Sequence, residues 1–158
     1  MKKIIILLIL TVLFCVGCTA ECEDAMTHCA NEIEALILNN LKCELGYCDV
    51  SEYYLENYFN NISGMKSGKI YTCNESTNFD EFGIFEFESV KDAQTAKSAV
   101  KKYLSSAKEE FKSGIVYNAN EFPKFEAARV EIIGNYAVYT ILDKEISERI
   151  FSEIKNMQ

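Results

Sequence analysis

The stretch EFGIFEFESVKDAQTAKSAVKKYLSSAKEEFKSG, residues 81–114, decides the fold, because the period of its apolar residues changes once and sharply. In Glu81–Glu88, Phe82 and Ile84 fall on one side of an extended chain while Phe85 and Phe87 fall on the other, the pattern of a strand apolar on both faces. Ser89 follows, with Asp92 three residues on, a pairing that resembles a capping box. Beyond it Ala93, Ala96, Val100, Leu104, Ala107 and Phe111 recur in steps of three and four, one face of a helix of about five turns. Ser113-Gly114 ends it.

Upstream, Lys69–Cys73 is β-branched and aromatic and predicts a second strand, joined to the first by the polar turn Asn74–Asp80. Downstream, Ile115–Phe122 is an irregular connection and Pro123 suits the start of a short helical turn holding Phe125 and Ala127. Ala128–Ile133 and Tyr136–Leu142 predict a hairpin about Gly134-Asn135, residues that tolerate the positive φ of a two-residue turn. Asp143 opens a last helix with Ile146, Ile150, Ile154 and Met157 along one face. Before the first strand, Met26, Cys29, Ile33, Leu36, Ile37 and Leu41 have helical spacing. So, approximately, does Asp49–Ile62, with Asp49 or Ser51 as its cap and Ser63-Gly64 as its end. The expectation is one α+β domain over residues 26–158: N-terminal helices, then a two-layer arrangement in which an antiparallel sheet of about four strands comes from two hairpins, each followed by a helix, with the helices on one face.

The first residues belong to a different class of segment. Lys2 and Lys3 precede an apolar run from Ile4 to Leu10 that continues, after Thr11, from Val12 to Val16, the basic and apolar regions of an export signal. Such a run spans roughly 20 Å as a helix, short of the roughly 30 Å hydrocarbon core of a bilayer. Val16-Gly17-Cys18 resembles a lipobox, which would make residues 1–17 a lipoprotein-type signal peptide, Cys18 the lipidated first mature residue and residues 18–25 a tether. Cys15 stands where that motif usually carries an aliphatic residue. Cleavage after Ala20, giving a secreted protein, and retention as a signal anchor are the alternatives. Over the 158 residues, 16 basic side chains face 24 acidic ones, for a net charge of −8. That balance argues against a nucleic-acid partner, since neutralising phosphates takes clustered Lys and Arg.

The segment DEFGIFEFESVKDAQTAKSAVKKYLSS, residues 80–106, its spacing to KFEAARVEIIGNYAVYTIL, residues 124–142, and the final helix resemble the bacterial lipoproteins called domain of unknown function 4358. The resemblance covers roughly residues 25–156. The extra cysteines and the Tyr- and Asn-rich second helix depart from it. It implies a lipid-anchored protein on the extracytoplasmic face of the cell membrane, and it brings no catalytic or binding residues.

Candidate chemistry is sparse. Apart from Cys15 and Cys18, the cysteines are Cys22, Cys29, Cys43, Cys48 and Cys73, an odd set with no CxxC and no zinc spacing. Three readings stay open for them: disulfide pairing among Cys29, Cys43 and Cys48, plain thiols, or a thiol redox or metal role. His28 is the only histidine, so no multi-histidine site can form. Glu75, Asp80, Glu81, Glu86 and Glu88 cluster about the first hairpin, as a solvated face, as the carboxylates of an envelope enzyme near Asp80 and Glu81, or as Ca²⁺ ligands, although no Asp-x-Asp-x-Asp-Gly loop occurs. Tyr53, Tyr54, Tyr58 and Phe59 form either a binding face or the core side of a helix. No glycine-rich phosphate loop, G-x-S-x-G or H-E-x-x-H occurs. The function expected is a non-enzymatic module that binds a small ligand or an envelope protein, with no cofactor and no metal.

Overall fold

The computed structural model describes residues 30–114 and 118–157. Cys18, Cys22, His28 and Cys29, and the signal and tether assigned to residues 1–25, lie outside them. In chain order the described elements are α1 (Ala30–Asn40), β1 (Tyr47–Asp49), α2 (Ser51–Asn57), β2 (Met65–Cys73), β3 (Glu81–Phe87), α3 (Val90–Ser113), α4 (Phe122–Ala127), β4 (Arg129–Ile133), β5 (Tyr136–Ile141) and α5 (Lys144–Asn156). The strands form one antiparallel sheet in the order β1-β2-β3-β5-β4. Strand β3 is central, as a segment apolar on both sides must be, with Gly83 paired to Ile70 on one flank and Tyr139 on the other.

Alternation along β3 and β5 sends two sets of side chains in opposite directions. Phe85, Phe87, Ala137, Tyr139 and Ile141 meet the α3 stripe of Ala93, Ala96, Val100, Leu104 and Phe111. Phe82, Ile84, Tyr136, Val138 and Leu142 meet Ile33 and Ile37 of α1 and Ile150, Phe151 and Ile154 of α5. The two-layer expectation therefore holds only in part: helices cover both faces of the sheet. The physical reason is already in EFGIFEF, since a strand that is apolar on both faces has to be covered on both.

Two further differences follow from tertiary pairing. A fifth strand, β1, has only three residues, too few to show a period, and exists because it pairs with the end of β2. The second helix stops at Asn57 instead of Ile62; the chain then turns back through Gly64 at φ 73°, and the Gly64 carbonyl accepts the Glu88 N–H at 2.9 Å. Asp49 and Ser51 both act at the start of α2. The Asp49 carboxylate accepts the Ser51 N–H at 2.9 Å, while the Ser51 hydroxyl accepts the Ile70 N–H of β2 at 2.8 Å. At the hairpin, only Gly134 has positive φ, 56°, so the turn is of the type with glycine first.

Candidate functional site

The sheet face beneath α3 carries one acidic residue, Glu81, the first of β3, and it is only 7% exposed. Three phenols from three elements close on its carboxylate. Tyr103 of α3 and Tyr139 of β5 donate to Oε1 at 2.7 and 2.8 Å, and Tyr54 of α2 donates to Oε2 at 3.2 Å. Gly83 makes this possible. The Tyr139 ring lies across it, and a Cβ there would stand 2.1 Å from Tyr139 Cε1, so only glycine lets the phenol run along β3 to reach a carboxylate two residues away. Tyr103 packs against Tyr139, Phe59 and Tyr54 at ring-centroid distances of 5.7, 4.9 and 6.1 Å, which locks the hydroxyls in place.

Burial raises the Glu81 pKa above its ordinary value of 4.5, and the three phenol hydrogen bonds, which favour the anion, only partly offset that. Burial and the adjacent Glu81 charge push Tyr54, Tyr103 and Tyr139 well above the usual phenol range, so all three remain protonated donors. No Lys or Arg forms an ion pair with Glu81 among the described residues.

Above the carboxylate lies a cleft of about 590 Å³ between α2 and α3, within the roughly 300–1,000 Å³ usual for small-ligand sites. Glu81, Tyr54 and Tyr103 form its polar end; Phe79, Phe111 and Phe125 form an apolar wall, with Phe79 and Phe125 4.8 and 4.2 Å from Phe111 between ring centroids. A hollow of similar volume along Asp49–Tyr54 is lined, among the described residues, by that single stretch of chain, and none of its described lining residues is a buried charge. Of the aromatic group expected on the second helix, Phe59 is core, Tyr54 holds Glu81, and Tyr53 and Tyr58 are exposed at 60% and 47%.

The carboxylates of the first hairpin do not converge. Asp80, next to Glu81 but buried among different partners, pairs with Lys124 of α4 at 2.7 Å and accepts from Tyr47 at 3.0 Å. Lys124 also pairs with Glu121 at 2.8 Å and donates to Asn78 at 3.1 Å. Burial alone would lower the Lys124 pKa, but the hydrogen bonds and charges of Asp80 and Glu121 outweigh it, so the pKa is raised and the ammonium stays charged. Glu86 is half-buried and faces Lys66, 3.9 Å away.

The cysteine pairing is corrected. Cys43 bonds to Cys73, with Cα atoms 6.1 Å apart, and not to Cys29 or Cys48; Cys48 is a free, exposed thiol. The register of β1 on β2 explains it: Tyr47 lies opposite Cys73, and the turn through Gly46 at φ 75° returns Cys43 to that end. Glu75 lies beside the disulfide and accepts the N–H groups of Glu44 and Leu45 at 2.5 and 3.4 Å, which makes this trio a loop clamp, since bonded sulfurs offer no thiolate to a metal.

Sequence reasoning located Glu81 and Tyr54 but missed Tyr103 and Tyr139. One signal was available: an isolated glycine inside a strand of phenylalanines marks a close approach by another group. The model of a family described as a domain of unknown function (DUF4358) matches residues 51–142, a span that includes Tyr54, Glu81, Gly83, Tyr103 and Tyr139. No curated protein and no solved structure matches.

Proposed function

The chain belongs to the family of the domain of unknown function (DUF4358), and on that premise we propose that it is a non-catalytic binding module that holds a small ligand in the cleft between α2 and α3, tethered to the extracytoplasmic face of the cell membrane through lipidated Cys18. The observation that carries the binding part is a buried carboxylate, organised by three phenols and without a basic partner among the described residues, at the polar end of an open aromatic cleft. Proteins seldom bury a charge without a partner, because the desolvation cost is large. A ligand group supplies what the fold leaves out. Asp80 is occupied by Lys124 and Tyr47, so the reading uses no paired-carboxylate chemistry. No helix of the described residues is long and apolar enough to cross a membrane, and attachment in this reading comes from the acyl chains.

Native mass spectrometry of the detergent-solubilised full-length chain tests both parts. A small molecule is expected to accompany the protein and to be lost from Ser106→Trp, whose indole occupies the cleft from an exposed position of α3, while the circular dichroism spectrum stays unchanged. A variant that keeps the same molecule overturns the cleft as its site. Peptide mass analysis is expected to find Cys18 acylated, and an unmodified Cys18 overturns the tether.

A further inference from the structure

We infer that the ligand of this cleft is an organic amine in its cationic form, its ammonium head seated on Glu81 Oε2 and its apolar body lying along Phe79, Phe111 and Phe125. The inference rests on the small-ligand reading above and names the class.

The hydrogen-bond inventory supplies the head group. A carboxylate has about four acceptor positions; among the described residues Oε1 receives Tyr103 and Tyr139, whereas Oε2 receives only Tyr54, at the long distance of 3.2 Å. Oε2 is therefore the acceptor left for a donor entering the cleft. The charge of the surroundings selects among donors. Among the described lining residues Glu110 is the other carboxylate, and its charge reaches Tyr58; Lys102 is the basic one, is exposed, and makes no ion pair with Glu81. A neutral alcohol would gain one hydrogen bond there. A cation gains a charge-assisted one and also cancels an anion held out of water.

The aromatic surfaces select the rest. Tyr54, Tyr58 and Tyr103 stand 5.3–6.1 Å apart between centroids, too close to admit an ammonium among them, so the head group is confined to the carboxylate. The phenylalanine wall has no polar atoms and accepts a hydrocarbon or aryl body. Because burial draws Glu81 toward its neutral form, an arriving cation stabilises the anion and displaces whatever proton fraction the carboxyl holds.

The test titrates the full-length protein, reconstituted in nanodiscs with empty nanodiscs as reference, with 2-phenylethylammonium chloride and with 2-phenylethanol, its neutral counterpart. The amine is expected to bind roughly tenfold tighter or more, and Glu81→Gln is expected to abolish that preference while leaving the affinity for the alcohol. Equal binding of the two probes by the wild-type protein overturns the cationic class and leaves the small-ligand reading standing. Binding of neither overturns both. A preference that survives in Glu81→Gln overturns Glu81 as the group that reads the charge.

Discussion

Glu81 and Gly83 are two residues apart on one face of β3, and each is intelligible only with the other. Gly83 gives up a side chain so that Tyr139 can cross the strand, and Tyr139 ends on Glu81. Gly83→Ala places a methyl inside van der Waals contact with the ring, so the variant is expected to lose about 2 kcal/mol or more in urea denaturation. Its Tyr139 fluorescence is expected to change as the phenol leaves the carboxylate. An unchanged midpoint would show that the ring moves freely. Glu81 itself carries a pH signature. The folded protein holds the Glu81 proton more tightly than the unfolded chain, so this residue lowers stability as pH rises from 4.5 toward its raised folded pKa. Glu81→Gln is expected to remove that slope in thermal melts across the window, and a wild-type slope in the variant would place the pKa shift elsewhere.

At the scale of elements, helix α3 is set by its cap and its stripe. The Ser89 hydroxyl accepts the Asp92 N–H at 3.2 Å and donates to the Asp92 carboxylate at 2.7 Å, so the capping box forms only in its forward half. Ser89→Ala is expected to cost about 1 kcal/mol, with a shift of the denaturant midpoint and no change in its slope. Helix α4 is held differently. Its six residues are too short for intrinsic stability, and Lys124 fastens them to Asp80, the residue just before β3. Lys124→Met strands Asp80 and Glu121 without their cation and is expected to destabilise by about 3–5 kcal/mol. Because Phe125 of α4 lines the cleft, the same substitution is expected to weaken ligand binding. A variant of wild-type stability would show the ion pair to be peripheral.

At the scale of the whole molecule, the sheet gains a short edge strand and a covalent clip at the same place. The Cys43–Cys73 bridge closes a separation of 30 residues, which corresponds to about 3–4 kcal/mol on a chain-entropy basis. Reduction is expected to lower the thermal midpoint accordingly. Differential alkylation is expected to label Cys48 in the folded, oxidised protein and Cys43 and Cys73 only after reductant. Labelling of Cys43 without reductant would contradict the bridge.

The sequence by itself determined the helices and strands whose apolar period runs long enough to be read: β3, α3, the hairpin of β4 and β5, and α5. It determined the α+β class as well, because alternation and three-four spacing are local properties of the chain. Only the tertiary structure decided what depends on residues meeting across the sheet. β1 has no period of its own and is stabilised by pairing with β2. The helices divide between two faces because β3 is apolar on both. Cys43 meets Cys73 because a strand register brings them together. The site follows the same logic. Tyr54, Tyr103 and Tyr139 stand 27, 22 and 58 positions from Glu81 along the chain, and no spacing rule links them. Their encounter is a product of one glycine in a central strand and two helices packed on the sheet, one against that strand and one against its neighbour β2.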